Sequence, residues 1–89
     1  MSDPSLDPFA YFSNEYAEAL QALQALESQS STLMLMGNRD ELRTFIEQFL
    51  QMAKRTHALA IEKNEPNFAE WFRELIDRAE ALRNAVPRR

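Results

Sequence analysis

Apolar residues recur at intervals of three and four along most of this chain, which is the spacing of one face of an α-helix. The first stripe follows Asp7-Pro8, a pair that is typical of a helix cap and a proline at the first helical position. The stripe consists of Phe9, Phe12, Tyr16, Ala19, Leu23 and Leu26, with Leu20 beside it. We therefore predict a first helix over residues 8–36.

A polar stretch at residues 27–32 interrupts that stripe. There are two interpretations. Either one helix supercoils and continues, with Ser30 and Leu33 in its buried seam, or the helix frays and a new one starts at a serine cap. We favour continuation to Met36, because Gly37 then stands where a helix commonly ends in a left-handed residue.

The second stripe opens after Asn38 and predicts a helix over residues 39–63. Asn38 with Glu41 three residues later resembles a capping box, in which each side chain accepts a hydrogen bond from the backbone of the other residue. The expected buried residues are Leu42, Phe45, Ile46, Phe49, Met52, Ala53, Thr56 and Ala60. Leu50 and Ile61 stand on one flank of this stripe, and Leu59 stands on the other. The apolar arc thus covers more than half of the helix circumference.

The third stripe begins at Pro66 and predicts a helix over residues 66–86. The expected buried residues are Phe68, Phe72, Leu75, Ile76, Ala79, Leu82 and Val86, with Trp71 at the edge. Oppositely charged residues on the remaining surface stand three or four apart, which predicts ion pairs within this helix and a face that meets water. These pairs are Glu70–Arg73, Arg73–Asp77, Glu74–Arg78 and Glu80–Arg83.

The connections between the predicted helices have only two or three residues, and connections that short place consecutive helices antiparallel. The sequence therefore predicts an all-α fold, an antiparallel three-helix up-down-up bundle in one domain spanning residues 1–89. Seven of the nine aromatic residues would gather at the end of the bundle where the first and third helices begin. Residues 87–89 are expected to form a tail.

The run from Leu33 to Met36 is more apolar than one neighbouring helix can cover, because four consecutive helical residues point in four directions. At 1.5 Å per residue the first helix is about 43 Å long, against about 37 Å and about 31 Å for the others, so the run overhangs. We predict an exposed patch that a second copy of the chain covers in a homodimer, completing a larger bundle. The alternative is that the run closes the end of the bundle within one chain. The predicted partner-binding residues are Leu33, Leu35, Met36, Leu50 and Ile61.

The composition offers little material for catalysis or metal binding. The chain has no cysteine, one histidine and one glycine, which excludes thiolate chemistry, cysteine-based zinc sites and glycine-rich phosphate loops. His57 lies at the border of the apolar arc of the second helix, and we interpret it as a packing residue. Most acidic pairs, such as Glu62–Glu65 and Glu70–Glu74, have a basic residue within one turn. Solvated ion pairs are therefore favoured over acid–base chemistry or cation binding, and no cofactor is expected.

Charge and hydropathy narrow the range of partners. The net charge of −4 disfavours binding to a phosphate backbone. No apolar run approaches the length of a membrane span, and the first residues lack the basic flank and apolar run of a signal peptide. A small domain without cysteine also fits a reducing compartment. We expect a cytoplasmic protein that binds neither nucleic acid, membrane nor small-molecule substrate.

Three hypotheses about function follow. The favoured one is a non-enzymatic protein–protein interaction module that self-associates through its surplus apolar helix surface. The alternative is an adaptor or chaperone that holds an amphipathic segment of another protein in a groove between helices. A carboxylate-based enzyme or cation-binding protein has the least support.

Overall fold

Three packed α-helices make up the part of the chain that the computed structural model describes, residues 7–86. The predicted all-α fold of three packed helices is thereby confirmed. Each helix end lies within one residue of the end that the sequence pattern predicts, and the expected tail at 87–89 lies outside the described residues. The helices are α1, Pro8–Leu35; α2, Arg39–Glu62; and α3, Pro66–Ala85.

Helix α1 runs without a break through the polar stretch 27–32. Asp7 caps its start, where a carboxylate oxygen accepts a hydrogen bond from the backbone N–H of Ala10 at 3.3 Å. Ser30 is buried, and its hydroxyl donates to the carbonyl of Glu27 at 3.0 Å. Because this buried hydroxyl is satisfied within the helix, the polar stretch can continue α1 with Ser30 in its buried seam.

Helical spacing places Glu27 on the same face as the apolar stripe of α1, because it follows Leu23 by four residues and Leu20 by seven. It is paired there with a residue of another helix. Its carboxylate accepts two hydrogen bonds from the guanidinium of Arg78, at 2.7 Å from Nη2 and 3.3 Å from Nε. The hydrogen bond from Arg78 to Glu27 raises the pKa of Arg78 above its ordinary value. The charged position in the apolar stripe is therefore a point at which α1 is joined to α3.

The connection after α1 is a Schellman motif. The N–H of Gly37 donates to the carbonyl of Met34 at 3.1 Å, and the N–H of Asn38 donates to the carbonyl of Leu33 at 2.8 Å. Gly37 has φ 81°, the left-handed conformation that the motif requires and that glycine adopts without strain. The predicted capping box with Glu41 is wrong, because the Asn38 side chain makes no capping hydrogen bond to α2. In so short a connection the backbone of Asn38 is already fixed by the end of α1.

The connection after α2 repeats this pattern with a different central residue. The N–H of Asn64 donates to the carbonyl of Ile61 at 3.0 Å, and the N–H of Glu65 donates to the carbonyl of Ala60 at 2.8 Å. Asn64 has φ 61° and takes the place of glycine, which asparagine does more readily than other side chains.

The core has a large and a small part. The small part lies where α1 and α3 begin and α2 ends, and it includes Phe12 and Phe68. Aromatic rings join the first turns of α1 and α3 there, with 5.4 Å between the ring centroids of Phe9 and Phe68. The large part draws on all three helices and contains Ala19, Leu23, Leu42, Ile46, Phe49, Leu50, Ala53, Phe72, Leu75, Ala79 and Val86.

The ion pairs of residues 7–86 connect different helices. They are Glu27–Arg78 at 2.7 Å, Glu47–Arg83 at 3.4 Å and Lys54–Glu80 at 3.5 Å. The four pairs predicted within α3 are therefore wrong, and Arg78, Glu80 and Arg83 pair with other helices instead. The heads of these side chains reach across a seam to a neighbouring helix, so this part of α3 is not simply a solvent-facing surface.

Candidate interaction surface

An open groove runs between α1 and α2 and encloses about 410 Å³. The wall from α1 includes two alanines beside a leucine and a glutamine, whereas every side chain in the wall from α2 is large. None of the lining residues is charged. They are Ala22, Ala25, Leu26 and Gln29 from α1, and Phe45, Gln48, Phe49 and Met52 from α2.

Phe45 is 42 % exposed, although the helical pattern places it in the buried stripe of α2. That prediction is wrong. Phe49 lies one turn further along the helix and is buried, so the difference is not one of residue type. Phe45 and Phe49 both line the groove with Ala22 and Ala25, but only Phe45 presents much of its ring to solvent there.

The three- and four-residue spacing of apolar residues does not predict this groove. The available signal was residue size: Ala22 and Ala25 stand beside Leu26 on the flank of α1 that turns toward α2. Small residues on one helix facing a large aromatic residue on the next leave a gap that apolar patterning, which ignores volume, does not detect.

The residues of the apolar run 33–36 at the end of α1 differ in their exposure to solvent. Leu33 is half-buried and packs against the core, whereas Leu35 is 89 % and Met36 66 % exposed. Met36 follows Gln29 by seven residues, about two helical turns, and so lies on the groove side of α1. Met36 is not among the residues that line the groove but stands beyond them on the same side, while Leu35 points elsewhere.

Leu50 lies in the core at 2 % exposure, so the expectation that it adds to an exposed patch is wrong. It stands on the flank of α2 that packs against α3. Glu47, three residues earlier, and Lys54, four residues later, both pair with residues of α3. On the same flank, Nη1 of Arg43 donates to the carbonyl of Val86 at 3.0 Å. The wide apolar arc of α2 is therefore needed within one chain, because helices cover α2 on two sides.

Ile61 is 60 % exposed and stands apart from the groove. It follows Phe45 by 16 residues, about 24 Å along α2 and about 160° around it. The structure therefore does not bring the five predicted partner-binding residues together. Of these five, only Met36 is exposed on the groove side.

The aromatic end also exposes large side chains, Phe9 and Trp71. Both rings pack edge-on against Phe68, with centroid distances of 5.4 Å and 5.2 Å. Each exposed ring there is thus partly covered by an aromatic neighbour of the same chain. The groove, with a half-exposed Phe45 facing unfilled space, is the stronger candidate for binding.

Acidic and metal-binding chemistry is not assembled in the described part of the chain. Among residues 7–86, no three His, Asp or Glu side chains come together in a way that could hold a metal ion. Glu80, which stands three residues after the acidic Asp77, forms an ion pair with Lys54. His57 is half-buried on α2.

None of the three described helices combines the length and the apolar character that crossing a membrane requires. The chain matches no protein-family model, no curated protein and no solved structure.

Proposed function

We propose that the protein is a non-enzymatic, cytoplasmic interaction module that forms a homodimer through the groove between α1 and α2. The observation that carries this proposal is the half-exposed ring of Phe45 in an uncharged, largely apolar groove. Covering that ring and both walls removes apolar surface from water, which contributes about 25 cal/mol per Å². Met36 stands beyond the lining residues, on the same side of α1.

The proposal includes the up-down-up course of the helices. Two contacts support it: the rings of Phe9 and Phe68 join the starts of α1 and α3, and the Arg43 hydrogen bond to Val86 joins the start of α2 to the end of α3. In such a bundle, the open side of the α1–α2 seam is a position where further helices pack to make a larger bundle.

A second copy of the chain suits this groove better than a strongly charged partner. The chain has a net charge of −4, yet no lining residue is charged, so two copies can meet there without bringing like charges into contact. A patch that pairs with itself around a two-fold axis must also be complementary to itself. A groove lined by uncharged residues sets no like charges against each other in such a pairing.

The mass of the protein in solution tests the proposal. We expect size-exclusion chromatography with light scattering to give about twice the chain mass of 10.4 kDa for the wild type. Phe45→Glu would bury an unpaired carboxylate in the interface, which is strongly unfavourable, so this variant is expected to be monomeric.

Ile61→Glu is the matched control, because it makes the same kind of change at an exposed position of the same helix, on the opposite flank. It is expected to remain dimeric. A wild type that stays monomeric at high concentration would overturn the proposal and favour a groove that holds a segment of another protein. A dimer that survives Phe45→Glu would place the interface outside the groove.

A further inference from the structure

We propose that α1 detaches from the hairpin of α2 and α3 as a unit, in an opening that requires less free energy than unfolding of the whole chain. The opening uncovers a face of the hairpin that α1 covers in the closed chain. This inference does not rest on the proposed homodimer. It follows from the unequal burial of the three helices and from the unequal links between them.

Helix α1 is the longest helix and the least buried one. Only four of its 28 residues are buried, compared with seven of 24 in α2 and five of 20 in α3. Two of the four, Ala19 and Ser30, are small, so Phe12 and Leu23 are the large side chains that α1 buries fully. Burial therefore holds α1, residue for residue, less firmly than it holds the other helices.

Polar links also hold α1 less firmly than they hold α2 to α3. Among residues 7–86, Glu27 makes the one ion pair of α1, with Arg78 of α3. The hydrogen bonds donated by the N–H groups of the 36–38 connection all end on carbonyls of α1 itself, so they close that helix without tying it to α2. Two ion pairs and the hydrogen bond from Arg43, by contrast, join α2 to α3.

The hairpin of α2 and α3 is the more closely packed part of the chain. Helix α2 packs more extensively against α3 than α1 packs against either of them, and the seam between α1 and α2 contains the open groove. Proteins open in cooperative units that often coincide with supersecondary motifs, and a helical hairpin is such a motif. A helix without its neighbours is only marginally stable in water, so α1 unfolds when it detaches.

The face that α1 covers is aromatic. The ring of Phe12 stacks on Phe68 with 5.7 Å between the centroids, and the ring of Tyr16 packs edge-on against Phe72 at 5.8 Å. Phe68 and Phe72 belong to α3 and are buried in the closed chain. Detachment of α1 exposes both rings to solvent. Helix α1 is therefore a removable cover over an aromatic face of α3.

Native-state hydrogen exchange, followed amide by amide with NMR, tests this inference. Every protein in the comparison carries Phe45→Glu, so that association through the groove does not enter the result. A protected amide exchanges through the lowest-energy opening that exposes it. After correction for intrinsic rates, we expect the slowest amides of α1 to exchange at least about tenfold faster than the slowest amides of α2 and α3.

A matched pair of variants distinguishes the two openings, because Leu50→Val and Leu23→Val each remove one methylene from a buried leucine. Leu50 lies in the seam that stays closed when α1 detaches. Leu50→Val is therefore expected to speed exchange in α2 and α3 by about fourfold or more and to leave α1 unchanged. Leu23 loses its contacts in both openings, so Leu23→Val is expected to speed exchange in all three helices by a similar factor.

Equal exchange of the slowest amides in all three helices would overturn the inference, because α1 would then open only with the whole chain. Faster exchange of α1 in Leu50→Val would overturn it as well, since that result places the α2–α3 seam among the contacts that break when α1 exchanges. A protein that is monomeric in solution would overturn the homodimer and leave both expectations unchanged.

Discussion

The two seams of helix α2 are built differently. Helix α2 packs more extensively against α3 than α1 packs against either neighbour. Polar links on the α3 side stand along the rim of a seam in which Leu50 is buried. Three such links join α2 to α3: Glu47–Arg83, Lys54–Glu80 and the hydrogen bond from Arg43 to Val86.

The seam between α1 and α2 has no ion pair among residues 7–86 and contains the groove. Exposed ion pairs contribute only about 0–1 kcal/mol, so the important difference is apolar packing. On one flank of α2, Leu50 is covered by its own chain, whereas on the other flank Phe45 is not. One flank of α2 is thus closed by its own chain, whereas the other keeps apolar surface exposed to solvent.

The largest expected effect concerns the α2–α3 seam. Leu50→Ala removes a fully buried side chain and leaves a cavity, and we expect it to lower the free energy of unfolding by about 2–5 kcal/mol. Urea denaturation measures the change. Ile61→Ala is the control on the same helix and should cost no more than about 0.5 kcal/mol, because the side chain is exposed. Equal effects of the two substitutions would show that Leu50 does not lie in a closed seam.

A smaller effect is expected in the connection that sets the α1–α2 seam. An added Cβ at Gly37 meets no atom within 4 Å, so Gly37→Ala acts only through the backbone at φ 81°. A left-handed residue other than glycine costs roughly 1–2 kcal/mol, and alanine offsets part of that by restricting the unfolded chain. We expect a net loss of about 1 kcal/mol in the free energy of unfolding, measured by urea denaturation.

The corresponding position in the α2–α3 connection is Asn64, and Asn64→Gly serves as the comparison. Asparagine already tolerates the left-handed conformation, so this change is expected to alter stability by only a few tenths of a kcal/mol. A loss in Asn64→Gly as large as that in Gly37→Ala would mean that the Asn64 side chain stabilises the connection, and the two motifs would not be equivalent.

Helix positions could be predicted from the sequence because their signals are local. Repeats of three and four residues, Asp7-Pro8 and Pro66 at helix starts, and Gly37 at a helix end all act within one or two turns. The same locality explains why the polar stretch 27–32 could be interpreted as part of one continuous helix.

The surface could be predicted only in part, since burial depends on residues far away in the sequence. Leu50 is buried because α3 lies on its flank, and Phe45 is half-exposed because it borders the open groove between α1 and α2. The partner of Glu27 is Arg78, 51 residues later, which no short spacing rule can identify. Of the predicted patch, Leu35, Met36 and Ile61 are exposed, but they do not form one surface.

The smallest expected effects are the coupling energies of the ion pairs that join α3 to its two neighbours. A double-mutant cycle of Glu27→Gln and Arg78→Gln should give a coupling energy of about 0.5–1 kcal/mol at low salt, because Arg78 binds the carboxylate through two nitrogens. The same cycle on Glu47 and Arg83, joined by a single contact of 3.4 Å, should give about 0.2–0.5 kcal/mol.

Both coupling energies should fall when urea denaturation is repeated in 1 M NaCl, since the side chains are partly exposed and the screening length drops to about 3 Å. The loss should be smaller for Glu27–Arg78, whose two hydrogen bonds fix the geometry. If the Glu27–Arg78 coupling were no larger than that of Glu47–Arg83, this pair would not join α1 to α3 more tightly than an ordinary surface pair. Packing of aromatic rings at the other end of the helices, such as Tyr16 on Trp71, would then be what holds α1 in place.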